Sequence, residues 1–346
     1  MREVKSLFIA ISFALCLFLN YVFACTAIGL QYKDQSFAGK NHDWVNKDAV
    51  IVINPRGMAN NAESAIHKNW SSKYGSITVN ELEKGRVFPG VMAGINEEGL
   101  CVLGLWLGNA QYPSLPTKVI VPTKLLGKYF LDNAATVSEA IALAQKFDVQ
   151  PSTLPDEDAT QLAKTLDIDK NTLGDINLHL FIQDEKGDAA VFDYLDERLV
   201  IHSGESLPIL VLTNNSYSDS CSFLKRLREF GGQEDLPGTF DSLPRFAKAA
   251  FALKVMPQSE SKLGAVSNLF IALAYAQNPC PPTLWTAVFD LSSKTMYLRS
   301  IDNQQIRIVR LNKFDISEGK PSMFLSINND LSGYVESEFT VLNKQL

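Results

Sequence analysis

Cys25 is the residue whose type and position point most directly to chemistry. It follows Val22-Phe23-Ala24, a small-x-small cleavage signal, which in turn follows an apolar stretch from Leu7 to Leu19 and the basic residues Arg2 and Lys5. That order is the form of a secretory leader, so residues 1–24 are expected to be removed. Cutting there makes Cys25 the first residue of the mature chain. Its thiol sulfur then lies three bonds from a free α-amine, whose ordinary pKa of about 7.7–8.0 suits it to act as the local base. One residue would supply both nucleophile and base.

Two other readings use the same stretch. In a lipoprotein box Cys25 would be acylated and its amine blocked, giving a lipid-anchored, non-enzymatic protein; Phe23 occupies a place where that box takes a small residue. In an uncleaved anchor the apolar run would have to span a bilayer, but Asn20 interrupts it short of the ~20 residues required.

The remaining titratable residues give little support to other chemistries. Cys16 lies in the leader, and Cys101, within Leu100-Cys101-Val102-Leu103, reads as a buried strand residue; with Cys221 and Cys280 it makes no disulfide framework if Cys25 is the nucleophile. The four histidines, His42, His67, His179 and His202, form no HExxH or comparable spacing, so no metal and no cofactor are expected. His179, inside Leu178-His179-Leu180, reads as a core histidine. The chain carries 32 basic and 38 acidic residues, and removing Arg2, Lys5 and Glu3 with the leader leaves 30 against 37. No basic stripe exists to hold nucleic acid or an anionic membrane surface.

The elements that must position Cys25 are strands, then helices, then strands. Residues 25–32 and 36–41 read as a hairpin around Lys33-Asp34-Gln35, residues 49–54 as a strand, and residues 91–107 as a strand pair around Asn96-Glu97-Glu98-Gly99. Helices are predicted over 117–133 and 136–147, the second opened by the capping-box form Thr136-Val137-Ser138-Glu139. Asp-rich residues 150–170 read as an exposed excursion. A meander follows over 178–183, 189–195 and 198–202, then a buried strand over 207–213 that ends at Asn214-Asn215. Helices over 220–230, 244–254 and 262–276 precede a last meander over 284–290, 295–301 and 306–311. Two groups of antiparallel strands with helices between them imply an α+β chain of two sheets with helices on the outer faces. With 46% hydrophobic residues and no linker, residues 25–346 read as one domain.

Five blocks in this order carry a resemblance: Cys25-Thr26, Gly39-Lys40-Asn41-His42-Asp43-Trp44, Gly94 to Leu100, Leu212-Thr213-Asn214-Asn215, and Leu236-Pro237-Gly238 followed by Arg245-Phe246. The chain resembles the choloylglycine hydrolase family of N-terminal-nucleophile amidases, which contains penicillin V acylases and bile salt hydrolases. The resemblance covers essentially the whole mature chain, and at Trp44, Trp106 and residues 129–137 it is nearest the signal-bearing, Gram-negative-like branch. It implies a four-layer αββα sandwich of two antiparallel sheets, the Ntn-hydrolase fold. It also implies that Cys25 attacks an amide carbonyl, that Asp43 orients its amine, that Asn96 and Asn214 donate to the oxyanion, and that Arg245 balances Asp43. The residues alone leave Asn96 and Asp43 open as turn residues, Arg245 as a surface residue, and Asn215 in place of Asn214.

One block departs from the family's GRNxD pattern, because Lys40 stands where the arginine is usual. Lysine keeps the charge and loses the planar fork. Either Lys40 lies beside the thiol and favours the thiolate, or it snorkels into solvent from the strand edge. Trp44 and Trp106 each read as core residues when taken alone, but the resemblance to the signal-bearing branch implies that they wall an acyl pocket, suited to a phenoxyacetyl or long aliphatic group. The function that follows is a periplasmic or secreted cysteine amidase acting on a small-molecule N-acyl amide of the penicillin V or N-acyl homoserine lactone type. Conjugated bile salts are the alternative substrates, and the resemblance implies a homo-oligomer.

Overall fold

A computed structural model describes residues 24–60, 66–166, 169–170, 173–279 and 281–342. The expected leader, up to Phe23, and Cys280 lie outside them.

Sixteen strands form two large sheets. They are β1 (Ala24–Tyr32), β2 (Gln35–Asp43), β3 (Ala49–Asn54), β4 (Ser76–Glu83), β5 (Arg86–Asn96), β6 (Cys101–Trp106), β7 (Leu178–Gln183), β8 (Ala189–Leu195), β9 (Arg198–Ser203), β10 (Val211–Leu212), β11 (Thr283–Asp290), β12 (Thr295–Ser300), β13 (Arg307–Arg310), β14 (Met323–Ser326), β15 (Gly333–Tyr334) and β16 (Thr340–Val341). The first sheet runs β10-β1-β2-β11-β12-β13-β15 and the second β9-β8-β7-β6-β5-β4-β3-β14-β16. All pairings are antiparallel except β13 with β15.

The helices are α1 (Thr123–Asn133), α2 (Val137–Ala144), α3 (Asp156–Leu166), α4 (Tyr217–Leu224), α5 (Ser242–Val255) and α6 (Lys262–Tyr275). Helices α5 and α6 pack on β1, β2 and β11, while α1 packs on β5 and β6. The layers are therefore helix, sheet, sheet, helix, the αββα arrangement. No helix among the described residues is long and apolar enough to cross a membrane.

Strand alternation decides which side chains of β1 and β2 reach which layer. A Cβ on Gly29 would lie 2.7 Å from Gln183 and 2.9 Å from Phe181 of β7, so that face of β1, which also carries Cys25 and Ala27, looks at the second sheet. On β2 a Cβ at Gly39 would lie 2.9 Å from Leu273 of α6, so Gly39, Asn41 and Asp43 face the helices. Lys40 and His42 therefore face the second sheet alongside Cys25. Both glycines stand where the neighbouring layer leaves no room for a side chain.

Five expectations need correction. The buried strand over 207–213 shortens to Val211–Leu212, with Pro208 exposed before it, and the helix over 220–230 lies instead at Tyr217–Leu224. The first helix begins at Thr123 rather than at residue 117, because residues 120–122 form a short strand paired with Asp148–Gln150 and Pro122 disfavours helical geometry before it. Strand β4 was not anticipated, although Ile77 and Val79 alternate into the core with Ser76 and Thr78. The Asp-rich stretch is not an exposed excursion: α3 buries Ala159 and Leu162 in the main core, and Asp158 is only 2% exposed. Thr136 caps α2 as expected, with Glu139 N–H donating to its Oγ1 at 3.2 Å, but the reciprocal half of the capping box is displaced by one residue, the Glu139 carboxylate accepting from the N–H of Ala135. His179 is a core residue, its ring between Asp193 Oδ1 at 2.8 Å and the Thr213 carbonyl at 2.7 Å.

Candidate active site

Cys25 sits at the start of β1, which two flanking elements grip. Its backbone N–H donates to Asn214 Oδ1 at 2.7 Å, and its carbonyl accepts from Arg245 Nη1 at 2.7 Å. The thiol, on the opposite face from Thr26, lines a cavity between the sheets and accepts from the backbone N–H of Asp43. Burial pushes the thiol above its ordinary value, while the Lys40 and Arg245 cations and the Asp43 N–H draw it back down.

Asn214 follows β10, beside β1 in the first sheet. Its Oδ1 accepts from both Cys25 and Arg245 Nη2, the latter at 2.7 Å, and its Nδ2 donates to the Trp106 carbonyl at 2.8 Å. Asn215 is partly exposed and makes none of these bonds, so Asn214 is the asparagine brought to Cys25. Arg245 lies in the first turn of α5 and is 1% exposed, which removes the surface reading. Its other contacts are Thr26 Oγ1 at 2.9 Å, the Phe240 carbonyl at 3.0 Å and the Asp43 carboxylate at 3.7 Å.

Asp43 lies across from Ala24 at the end of β2. Thr283 Oγ1–H donates to its Oδ1 at 2.5 Å, and among the described residues Oδ2 has no hydrogen-bond partner. Burial pushes this carboxyl up to about 7, against the opposing pull of Arg245, Thr283 and Lys40. The folded state thus keeps a proton that the unfolded chain releases near the ordinary value of 3.8. Stability from this group is full below about pH 4 and is lost as pH rises towards 7, by up to about 4 kcal/mol. In a chain with the Ala24–Cys25 bond intact, urea melts at pH 5 and pH 8 should show Asp43→Asn gaining on wild type at the higher pH. A pH-independent difference would contradict this charge assignment.

Lys40 does not snorkel. It is fully buried, with Nζ 3.2 Å from both His42 Nδ1 and the Met92 carbonyl, and 5.3 Å from the Trp285 ring centroid. It lines the same cavity as Cys25. Trp44 and Trp106 line it too, with ring centroids 6.0 Å apart, and Trp44 Nε1–H donates to Asp158 Oδ2 at 3.0 Å. Phe88, Leu154 and Ile176 add apolar wall.

Asn96 is the site residue that the structure sends elsewhere. Its Nδ2 donates to the Leu131 carbonyl at 2.9 Å and the Ala134 carbonyl at 2.7 Å, and its Oδ1 accepts from the N–H groups of Glu98 and Leu100. Both amide hydrogens are engaged at the end of α1, on the helix side of the second sheet, leaving none for an oxyanion at Cys25. The turn reading describes it. Sequence reasoning also passed over Thr283, His42, Glu81 and Asp158, which approach the site from β11, β2, β4 and α3.

Residues 25–324 match the profile of the linear amide C–N hydrolases, choloylglycine hydrolase family. The chain belongs to that family. That family is described as hydrolases of carbon–nitrogen bonds in linear amides. It is 28% identical over 270 residues to a penicillin V acylase of Pectobacterium atrosepticum, covering 73% of this chain and 66%, just under two thirds, of that protein. It is 26% identical over 326 residues to a bile salt hydrolase/transferase of Lactiplantibacillus plantarum, covering 83% of this chain and 92% of that one. A penicillin V acylase structure from Agrobacterium tumefaciens superposes with a TM-score of 0.75 at 24% identity, over 92% of this chain and 98% of that one. A mutant conjugated bile acid hydrolase from Clostridium perfringens gives 0.69 at 18%, over 89% and 98%. These likenesses carry the N-terminal-nucleophile hydrolase fold.

Proposed function

We propose that residues 1–24 are removed on export to the periplasm or cell exterior and that the mature chain, a single catalytic domain, is a cysteine amidase with Cys25 as N-terminal nucleophile. The thiol sulfur attacks the amide carbonyl carbon as its proton passes to the α-amine. The C–N bond then breaks as that proton moves to the departing amine, leaving a thioester. Water, deprotonated by the same amine, hydrolyses the thioester and releases a carboxylic acid. Asn214 Nδ2 carries, besides the hydrogen given to the Trp106 carbonyl, a second that would donate to the oxyanion, while Asp43 orients the amine and Arg245 offsets the Asp43 charge.

The observation that carries the reading is the pairing of a backbone-gripped Cys25 with an apolar cavity walled by Trp44 and Trp106. Such a wall buries a large apolar acyl group while little side-chain entropy is lost. We favour penicillin V or an N-acyl homoserine lactone over a conjugated bile salt, because two tryptophan rings 6.0 Å apart suit a phenoxy group or an extended chain better than a steroid. Side-by-side rates of acid release from the three substrate types test this. Faster turnover of a bile salt would overturn the preference, and no turnover of any would overturn the reading. A homo-oligomer is part of the same proposal, from the family resemblance.

A further inference from the structure

We propose that His42 and Glu81 are positioning residues, which fix the Lys40 ammonium against the Cys25 thiol and so make a lysine serve where the family pattern has arginine. The proposal rests on the reading of Cys25 as nucleophile. A lysine side chain is a flexible stem with one nitrogen, so its placement depends on the acceptors built around it. Two are present. The Met92 carbonyl lies 3.2 Å from Nζ. Met92 is the extra residue of a bulge, since Ala93 pairs with Val79 but Val91 pairs with Asn80, and the bulge alters the local direction of the strand backbone.

The second acceptor is His42. An ammonium has no lone pair, so the 3.2 Å contact makes Nδ1 of His42 the acceptor and leaves the ring hydrogen on Nε2. That hydrogen is donated to Glu81 Oε1 at 3.0 Å. Stacking on Trp285, with centroids 4.6 Å apart and planes 16° from parallel, holds the ring orientation. Burial and the neighbouring Lys40 keep His42 neutral, the form this arrangement needs. The charged and titratable groups around Lys40 are Cys25 on β1, His42 and Asp43 on β2, Glu81 on β4, and, beyond Glu81, Asp158 on α3; Arg245 on α5 lies across the strand beside Asp43. Burial lowers the Lys40 amine below its ordinary value, and the third Nζ hydrogen is left for the Cys25 side of the cavity, where a thiolate, with Glu81 and Asp43, opposes that fall.

The test is the pH profile of iodoacetamide labelling of Cys25 in the processed enzyme, read by mass on the Cys25 peptide so that the other cysteines do not contribute. His42→Leu should slow labelling at neutral pH by about tenfold, the factor that one unit of thiol pKa is worth below the midpoint. Lys40→Met should do the same, and the double variant should be no slower than Lys40→Met alone. Glu81→Leu should behave as His42→Leu, whereas Glu81→Gln, which keeps an acceptor for Nε2–H, should retain the wild-type profile; this pair decides the matter if His42→Leu does not fold. A wild-type profile for His42→Leu or Glu81→Leu, or a double variant slowed by the product of the single effects, would overturn the proposal. Hydrolysis by a Cys25→Ala enzyme would instead overturn the nucleophile assignment on which it rests.

Discussion

Cys25→Ala is expected to lower turnover on the order of 10⁶-fold, the scale on which removal of a nucleophile acts in other acyl-transfer enzymes. Asn214 would remain to polarise a carbonyl, but no atom would be left to form the thioester. The fold should persist. The anchors of this strand start are the backbone N–H and carbonyl of residue 25, which alanine keeps, and the side chain lost is small. Cys25→Ser should retain only traces, because a hydroxyl gives up its proton to the α-amine far less readily than a thiol does. Acid release by purified protein with a wild-type melting curve is the measurement. A rate within tenfold of wild type in the alanine variant would remove Cys25 from the mechanism.

The second large effect separates two asparagines. Asn214→Ala should reduce kcat by about 10²–10³-fold, the cost of losing one oxyanion donor. That change also strips the acceptor shared by Cys25 N–H and Arg245 Nη2. Asn96→Ala should act on stability instead. It abandons two carbonyls and two N–H groups that lie in the core, at a net cost of about 1 kcal/mol for each bond lost. Its melting point should fall by several degrees with kcat within a few-fold of wild type. If Asn96→Ala lost kcat as Asn214→Ala does, the structural assignment of Asn96 would be wrong.

These two residues also show where the sequence stops being informative. Asn214 ends an apolar run, and a polar residue at that point has one obvious place to go, the mouth between the sheets. Asn96 sits in Gly-Ile-Asn-Glu-Glu-Gly, where the same residue type serves equally well to bond its own turn, and only the approach of the α1 terminus, more than thirty residues on, decides between them. The hairpin from Ala24 to Asp43, both meanders and the α2 cap were legible because each depends on local spacing or a turn. Strand β4 carried an alternation as clear as its neighbours, but its polar residues Asn80 and Glu81 are buried, contrary to what alternation alone suggests. Glu81 and Asp158 come to the cavity from strands and helices some forty and over one hundred residues from His42 and Trp44, a proximity no local pattern encodes. Lys40 is a clearer lesson. A charged residue in a strand reads as an edge residue, and only the neighbouring layers, with His42, Met92 and Trp285 around it, show it buried.

The central claim, that one residue supplies nucleophile and base, requires a free amine on Cys25. The intact mass of the exported protein tests it most directly. The account predicts a mass that begins at Cys25 with an unmodified α-amine, in protein that releases acid from an N-acyl amide. A mass that retains residues 1–24, or one that carries a lipid adduct on Cys25, would contradict it.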